Sequence, residues 1–101
     1  MQGGWTLLRV AGMSDLQRTR LVAVSHVLFR SAYIMDAAAI CRRAREVGAL
    51  VALDSYHSVG VVPVVGLAIG ADFLTGGVLK WLCGGPGGSF VWVRPELSAA
   101  L

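Results

Sequence analysis

DAAAICRRAREVGALVALD, residues 36–54, reads as a helix and a strand joined by a single glycine. Asp36 has the side chain of a good N-cap. Ala37, Ile40, Ala44 and Val47 then recur at helical spacing, while Arg42, Arg43, Arg45 and Glu46 fall mostly on the other side. Gly48 stands where a helix commonly ends in a left-handed residue. Ala49–Leu53 follows as a short apolar run that stops at Asp54, the pattern of a strand buried on both faces.

Upstream, Leu21–Val24 is another apolar run, ending at Ser25 and His26. Strand, helix and strand with short joints make a βαβ unit, which implies a parallel sheet. Downstream, a weaker turn or helix is expected over Val64–Ile69 and a short strand over Asp72–Thr75. Gly76 and Gly77 are expected to open a loop carrying Lys80. Gly84–Gly88 reads as a second tight segment, Ser89–Val93 as a strand, and Pro95 as the start of a final helix. Ser14 is a candidate cap for a short helix over Asp15–Thr19. The expected fold is α/β: a partial, mostly parallel sheet with flanking helices. Residues 1–20 form a poorly defined start and 21–101 one partial domain.

Composition agrees with a piece of a larger core. The chain has 101 residues, 55% of them hydrophobic and only 15% charged, against roughly 25% charged in ordinary soluble domains. Its mean hydropathy is +0.66. A membrane span explains this less well. The longest uncharged stretch, Ser55–Ala71, contains Pro63, three glycines and His57, and a spanning helix needs about 20 apolar residues. Met1–Gly12 lacks the charged start and sustained apolar core of a secretory signal, so a cytoplasmic location is expected. The net charge of +3 is mild. The arginines at 42, 43 and 45 read as a solvated helix face, without the interleaved aromatics of a nucleic-acid site. Two distant cysteines, Cys41 and Cys83, indicate neither a disulfide framework nor a zinc site.

In open parallel sheets, ligands bind outside the carboxyl ends of the strands. Ser25, Asp54 and Lys80 fall there, with His57 three residues beyond Asp54. A lysine amine can form a Schiff base with an aldehyde cofactor. A carboxylate against a pyridine nitrogen keeps that nitrogen protonated and the ring electron-poor. Each residue also has a plainer reading: Asp54 as the cap of a turn, Lys80 (the only lysine) as a solvated loop residue, His57 as a partly buried side chain with a local partner. The Gly84–Gly88 run lacks the GxxxxGK[ST] pattern of a nucleotide loop.

Three stretches carry a resemblance: Val24–Val27 (VSHV), Ala52–Gly60 (ALDSYHSVG) and Lys80–Gly87 (KWLCGGPG). In this order they resemble the class V aminotransferase superfamily of pyridoxal 5′-phosphate (PLP) enzymes, fold type I, and within it kynureninase-like proteins. The similarity covers Leu21 to about Leu97. It implies that Asp54 pairs with the pyridine nitrogen of PLP, that His57 contacts the ring substituents, and that Ser25 sits near the cofactor. It makes Lys80 the Schiff-base lysine, which also moves the α-proton of an amino-acid substrate. The Gly-Pro-Gly segment would let Lys80 approach the ring. One position departs from the family. Leu79 stands where tyrosine or histidine usually precedes the lysine, and it cannot hydrogen-bond a phosphate.

The resemblance also implies missing parts. The family's phosphate loop and ring-stacking aromatic lie upstream, the substrate-carboxylate arginine and small domain lie downstream, and a second subunit normally completes the site. Two functions compete. One is a fragment of a homodimeric enzyme that hydrolyses the Cβ–Cγ bond of kynurenine-like substrates or transaminates. The other is a non-catalytic remnant. Too few helices are present to cover both sheet faces, so the isolated chain is expected to self-associate.

Overall fold

The computed structural model describes residues 18–100. Met1–Gly12 and most of the helix expected over Asp15–Thr19 lie outside the described residues. Within them the order is β1 (Leu21–Ser25), α1 (Ala37–Glu46), β2 (Leu50–Asp54), α2 (Gly66–Ile69), β3 (Phe73–Gly77), β4 (Ser89–Val93) and α3 (Pro95–Ala100). The strands form one sheet in the order β1-β2-β3-β4. β1 and β3 both run parallel to β2, and β4 turns back antiparallel to β3.

α1 forms where the sequence predicts it. Asp36 caps it, its Oδ1 accepting from the Ala39 N–H at 3.0 Å, and Gly48 follows its end at φ +75. The helix buries Ala37, Ile40, Cys41 and Ala44. These pack with Val22, Val51, Leu53 and Leu74 into the core. Strand side chains alternate between faces, and those four share the helix-covered face. α2 lies on the same side, where the bare Cα of Gly66 meets the Trp92 ring: an added Cβ would stand 2.6 Å from it.

The other face is open. Leu21 is 52% and Val91 66% exposed, and Ala23, Ala52, Phe73 and Val93 are at most partly covered.

One expectation needs correction. Gly76 and Gly77 do not open a loop; they are the last two residues of β3, paired with Phe90 and Ser89. Aromatic rings take the space their side chains would fill, Phe90 over Gly76 and Tyr56 over Gly77. The glycines allow close covering of the strand rather than breaking it.

At the amino ends of β2 and β3 a single carboxylate joins three strands. Asp72 is 5% exposed. Its Oδ2 accepts from the Val51 N–H at 2.7 Å. Its Oδ1 accepts from Arg94 Nε at 2.8 Å and lies 2.7 Å from Arg94 Nη2. Its main chain bonds Val51 and Arg94 as well, with the Asp72 N–H donating to the Val51 carbonyl and the Arg94 N–H to the Asp72 carbonyl. Removing one partner of a buried pair leaves the other uncompensated. Asp72→Ala is therefore expected to lower unfolding free energy by about 3 kcal/mol in urea melts. Asp72→Asn, which keeps an acceptor for Val51, should cost less.

Candidate functional site

The parallel register decides what stands at the carboxyl edge of the sheet. Ser25 pairs with Asp54, and Asp54 with Thr75, so the last polar residues of β1 and β2 are neighbours, with Thr75 of β3 beside them. They line one shallow depression on the open face, together with Ala23, Val24 and Ala52. Asp54 is exposed. Its Oδ1 accepts from the Tyr56 N–H at 2.9 Å, an Asx-type turn. No hydrogen bond engages Oδ2 among the described residues. The carboxylate is thus held by one oxygen and presents the other.

Two buried serines brace the turn after Asp54. Ser55 and Ser58 are both 0% exposed. Ser55 donates through its N–H and its Oγ to the Thr75 carbonyl, each at 2.8 Å. Ser58 Oγ donates to the Ser55 carbonyl at 3.2 Å. Sequence reasoning passed over both. Their signal was a pair of small hydroxyls directly after a strand carboxylate, where such side chains bond the local backbone.

His57 faces a second depression. Its ring stacks on Phe29 at a centroid distance of 6.2 Å and 26° between planes, and lies 5.4 Å from Tyr56. With Val27, Phe29, Ile34, Val61 and Trp81 it lines an apolar hollow. Lys80 lines neither depression. It is exposed, on a loop that leaves the end of β3 and closes on itself. The Val78 N–H donates to the Gly88 carbonyl, Gly84 to Val78 and Cys83 to Lys80. Ser25 and Asp54 are therefore brought together directly. His57 joins them through one turn of chain, and Lys80 comes to the same edge through its neighbour Trp81.

His26 is buried at the end of β1, and its Nδ1 has no hydrogen-bond partner among the described residues. Its main chain is well used: its N–H donates to the Asp54 carbonyl, and its carbonyl accepts from Met35. Burial lowers the imidazole pKa from 6.5, because desolvation disfavours the charged ring. Of the two free thiols, Cys83 is exposed and Cys41 buried. Burial, with Asp72 adding and Arg45 opposing, pushes Cys41 up to about 11, so it stays a protonated core residue.

The unfolded chain takes up a proton at His26 near pH 6.5, before the folded chain does. Stability is therefore retained above pH 6.5 and declines as pH falls below it. Chemical melts between pH 7.5 and 5 should show this decline, reduced in His26→Gln.

The model of the family described as aminotransferase class-V matches residues 8–101. A kynureninase from Pseudomonas fluorescens is 40% identical over 103 residues, covering 96% of this chain and 25% of that protein. An uncharacterized aminotransferase of Bacillus subtilis (strain 168) is also 40% identical, over 83 residues, covering 82% of this chain and 22% of the relative. Among solved structures, an aspartate aminotransferase of subgroup IV from Thermus thermophilus superposes with a TM-score of 0.75 at 26% identity, over 84% of this chain and 26% of that one. The chain thus spans about a quarter of the length of these relatives.

Proposed function

The chain belongs to the class V aminotransferase family, whose cofactor is pyridoxal 5′-phosphate, and we propose that it carries the ring-binding and lysine-bearing part of a PLP site. The observation that carries this reading is Asp54: one oxygen is tied into the turn and the other is free at the carboxyl edge of a parallel sheet. When bound, PLP supplies an aldehyde carbon and an electron-withdrawing ring. Asp54 Oδ2 is suited to hold a proton on the ring nitrogen. Lys80 Nζ, exposed and unpaired among the described residues, is a primary amine suited to hold the aldehyde carbon and to move the proton at the Cα of an amino-acid substrate. His57, steadied by Phe29 and Tyr56, orients the ring. Ser25 offers a hydroxyl beside Asp54.

The reaction belongs to the longer protein. Cβ–Cγ hydrolysis of a kynurenine-like substrate and transamination are both consistent with relatives of equal identity. A homodimer in the cytoplasm completes the reading. For the chain alone, a non-catalytic role is favoured by Leu79, an apolar side chain where phosphate contact is wanted. The same chain associates with a second copy of itself through the uncovered sheet face around Leu21, Phe73 and Val91, because no layer among the described residues covers that face.

Two measurements test these readings. Adding PLP, reducing with borohydride and mapping peptides should give one adduct, at Lys80, that is absent from Lys80→Ala. Asp54→Ala should weaken apparent PLP affinity about tenfold, the worth of one charge-assisted hydrogen bond. An adduct at the N-terminal amine alone would overturn the cofactor assignment. In gel filtration the chain should elute above its 10.6 kDa monomer mass, and Leu21→Lys with Val91→Lys should shift it toward the monomer.

A further inference from the structure

Two segments bear the proposed site: the turn from Asp54 to Gly60, and the loop from Val78 to Gly88. They meet at two glycines. Gly77, three residues before Lys80, lies under the Tyr56 ring, and an added Cβ would overlap it at Cε2. Gly60, at the far end of the turn, lies against the backbone of Trp81, the residue after Lys80. An added Cβ there would stand 2.7 Å from the Trp81 carbonyl oxygen and 3.0 Å from its carbonyl carbon. The two contacts differ in kind. A ring can tilt away from a new methyl group. A main-chain carbonyl cannot move without carrying its neighbours.

The base of the loop has little room to absorb such a shift. Val78 is packed between Gly84 and Gly88, each of which would meet its side chain at under 3 Å if given a Cβ. Its backbone is closed by the hydrogen bonds of Val78, Cys83 and Gly84. A push on Trp81 therefore passes to Lys80. On the other side, Gly60 belongs to a turn held by Ser55 and Ser58, with the Val61 and Val62 N–H groups donating to the Ser58 carbonyl.

We propose that Gly60 is a positioning residue for Lys80: its bare Cα lets the Trp81 carbonyl rest on the turn that carries Asp54 and His57, and this seating fixes where the lysine stands relative to them. The role of Lys80 in that statement rests on the PLP reading above; the contact does not. Reactive groups misplaced by about 1 Å lose as much as ~10²-fold in rate, so close seating at this point matters to any chemistry that joins Lys80 to a ring held by Asp54.

Gly60 also has φ +84, so alanine there adds backbone strain whatever the space. Gly48 separates the two effects. It has φ +75 and nothing within 4 Å of an added Cβ. Gly48→Ala thus carries the strain without the collision. Gly60→Asn carries the collision with less strain, because asparagine tolerates the left-handed region, and it serves if Gly60→Ala does not fold.

The experiment compares the full chain with these variants in two ways. The first is amide hydrogen exchange of the peptide spanning residues 78–88. The second is the ratio of Lys80 labelling by PLP with borohydride to Lys80 labelling by acetic anhydride, which needs no site. Simple loosening raises acetylation and leaves PLP labelling to follow it. Loss of position lowers PLP labelling alone. Gly60→Ala and Gly60→Asn are expected to speed exchange in the loop and to lower the ratio about tenfold, within the range for a misplaced reactive group. Gly48→Ala should change neither. Equal behaviour of the Gly60 and Gly48 variants in both readouts would overturn the proposal. If the unaltered chain gives no PLP adduct at Lys80, the cofactor reading fails. The exchange comparison then decides the seating on its own: faster loop exchange in the Gly60 variants supports it, and unchanged exchange overturns it.

Discussion

The sheet depends on Asp72. Its carboxylate and main chain together hold the start of β2, the entry to β3 and the exit of β4. A buried carboxylate is unfavourable unless it is paired and hydrogen-bonded, and here both oxygens are used. Arg94 is the partner, and it comes from the strand that runs against the others. The pairing therefore does more than neutralise charge. It brings the only antiparallel strand among the described residues into register with the parallel ones.

What is held at one end of a parallel sheet sets what is level at the other. With β1, β2 and β3 aligned from their amino ends, Ser25, Asp54 and Thr75 come out side by side. None of these three is adjacent in sequence. Their neighbourhood is a product of strand register, and a slip of one residue would turn Asp54 toward the helix-covered core. Ser55, the next residue, fills that inward position and closes it with two hydrogen bonds to Thr75. Neighbouring polar groups thus differ along the same chain, Ser55 buried and satisfied, Asp54 exposed with an oxygen to spare.

One sheet face is uncovered among the described residues, and the chain spans about a quarter of the length of the relatives it matches. α1 and α2 cover a single face, and among the described residues no layer covers the apolar residues opposite them. Its strands are rich in apolar residues, and three of its eight arginines sit together on α1.

Much of this was legible in the residues. Helical spacing from Ala37, a cap at Asp36 and a glycine at 48 specify α1 through local geometry alone, and short apolar runs ending in polar residues specify β1 and β2. Asp54, His57 and Lys80 could be picked out as candidates from residue type and from the order of the motifs. Tertiary structure decided the rest. Asp72 reads as the first residue of a strand until Arg94, 22 residues away, is folded against it. Gly76 and Gly77 read as a loop until Phe90 and Tyr56 cover them. Gly60 reads only as the last residue of a motif until the Trp81 carbonyl is found resting on it. The division has a physical cause. Periodicity and capping act between residues a few positions apart, so the sequence displays them. Ion pairing, ring packing and backbone contact act between residues that only folding brings together.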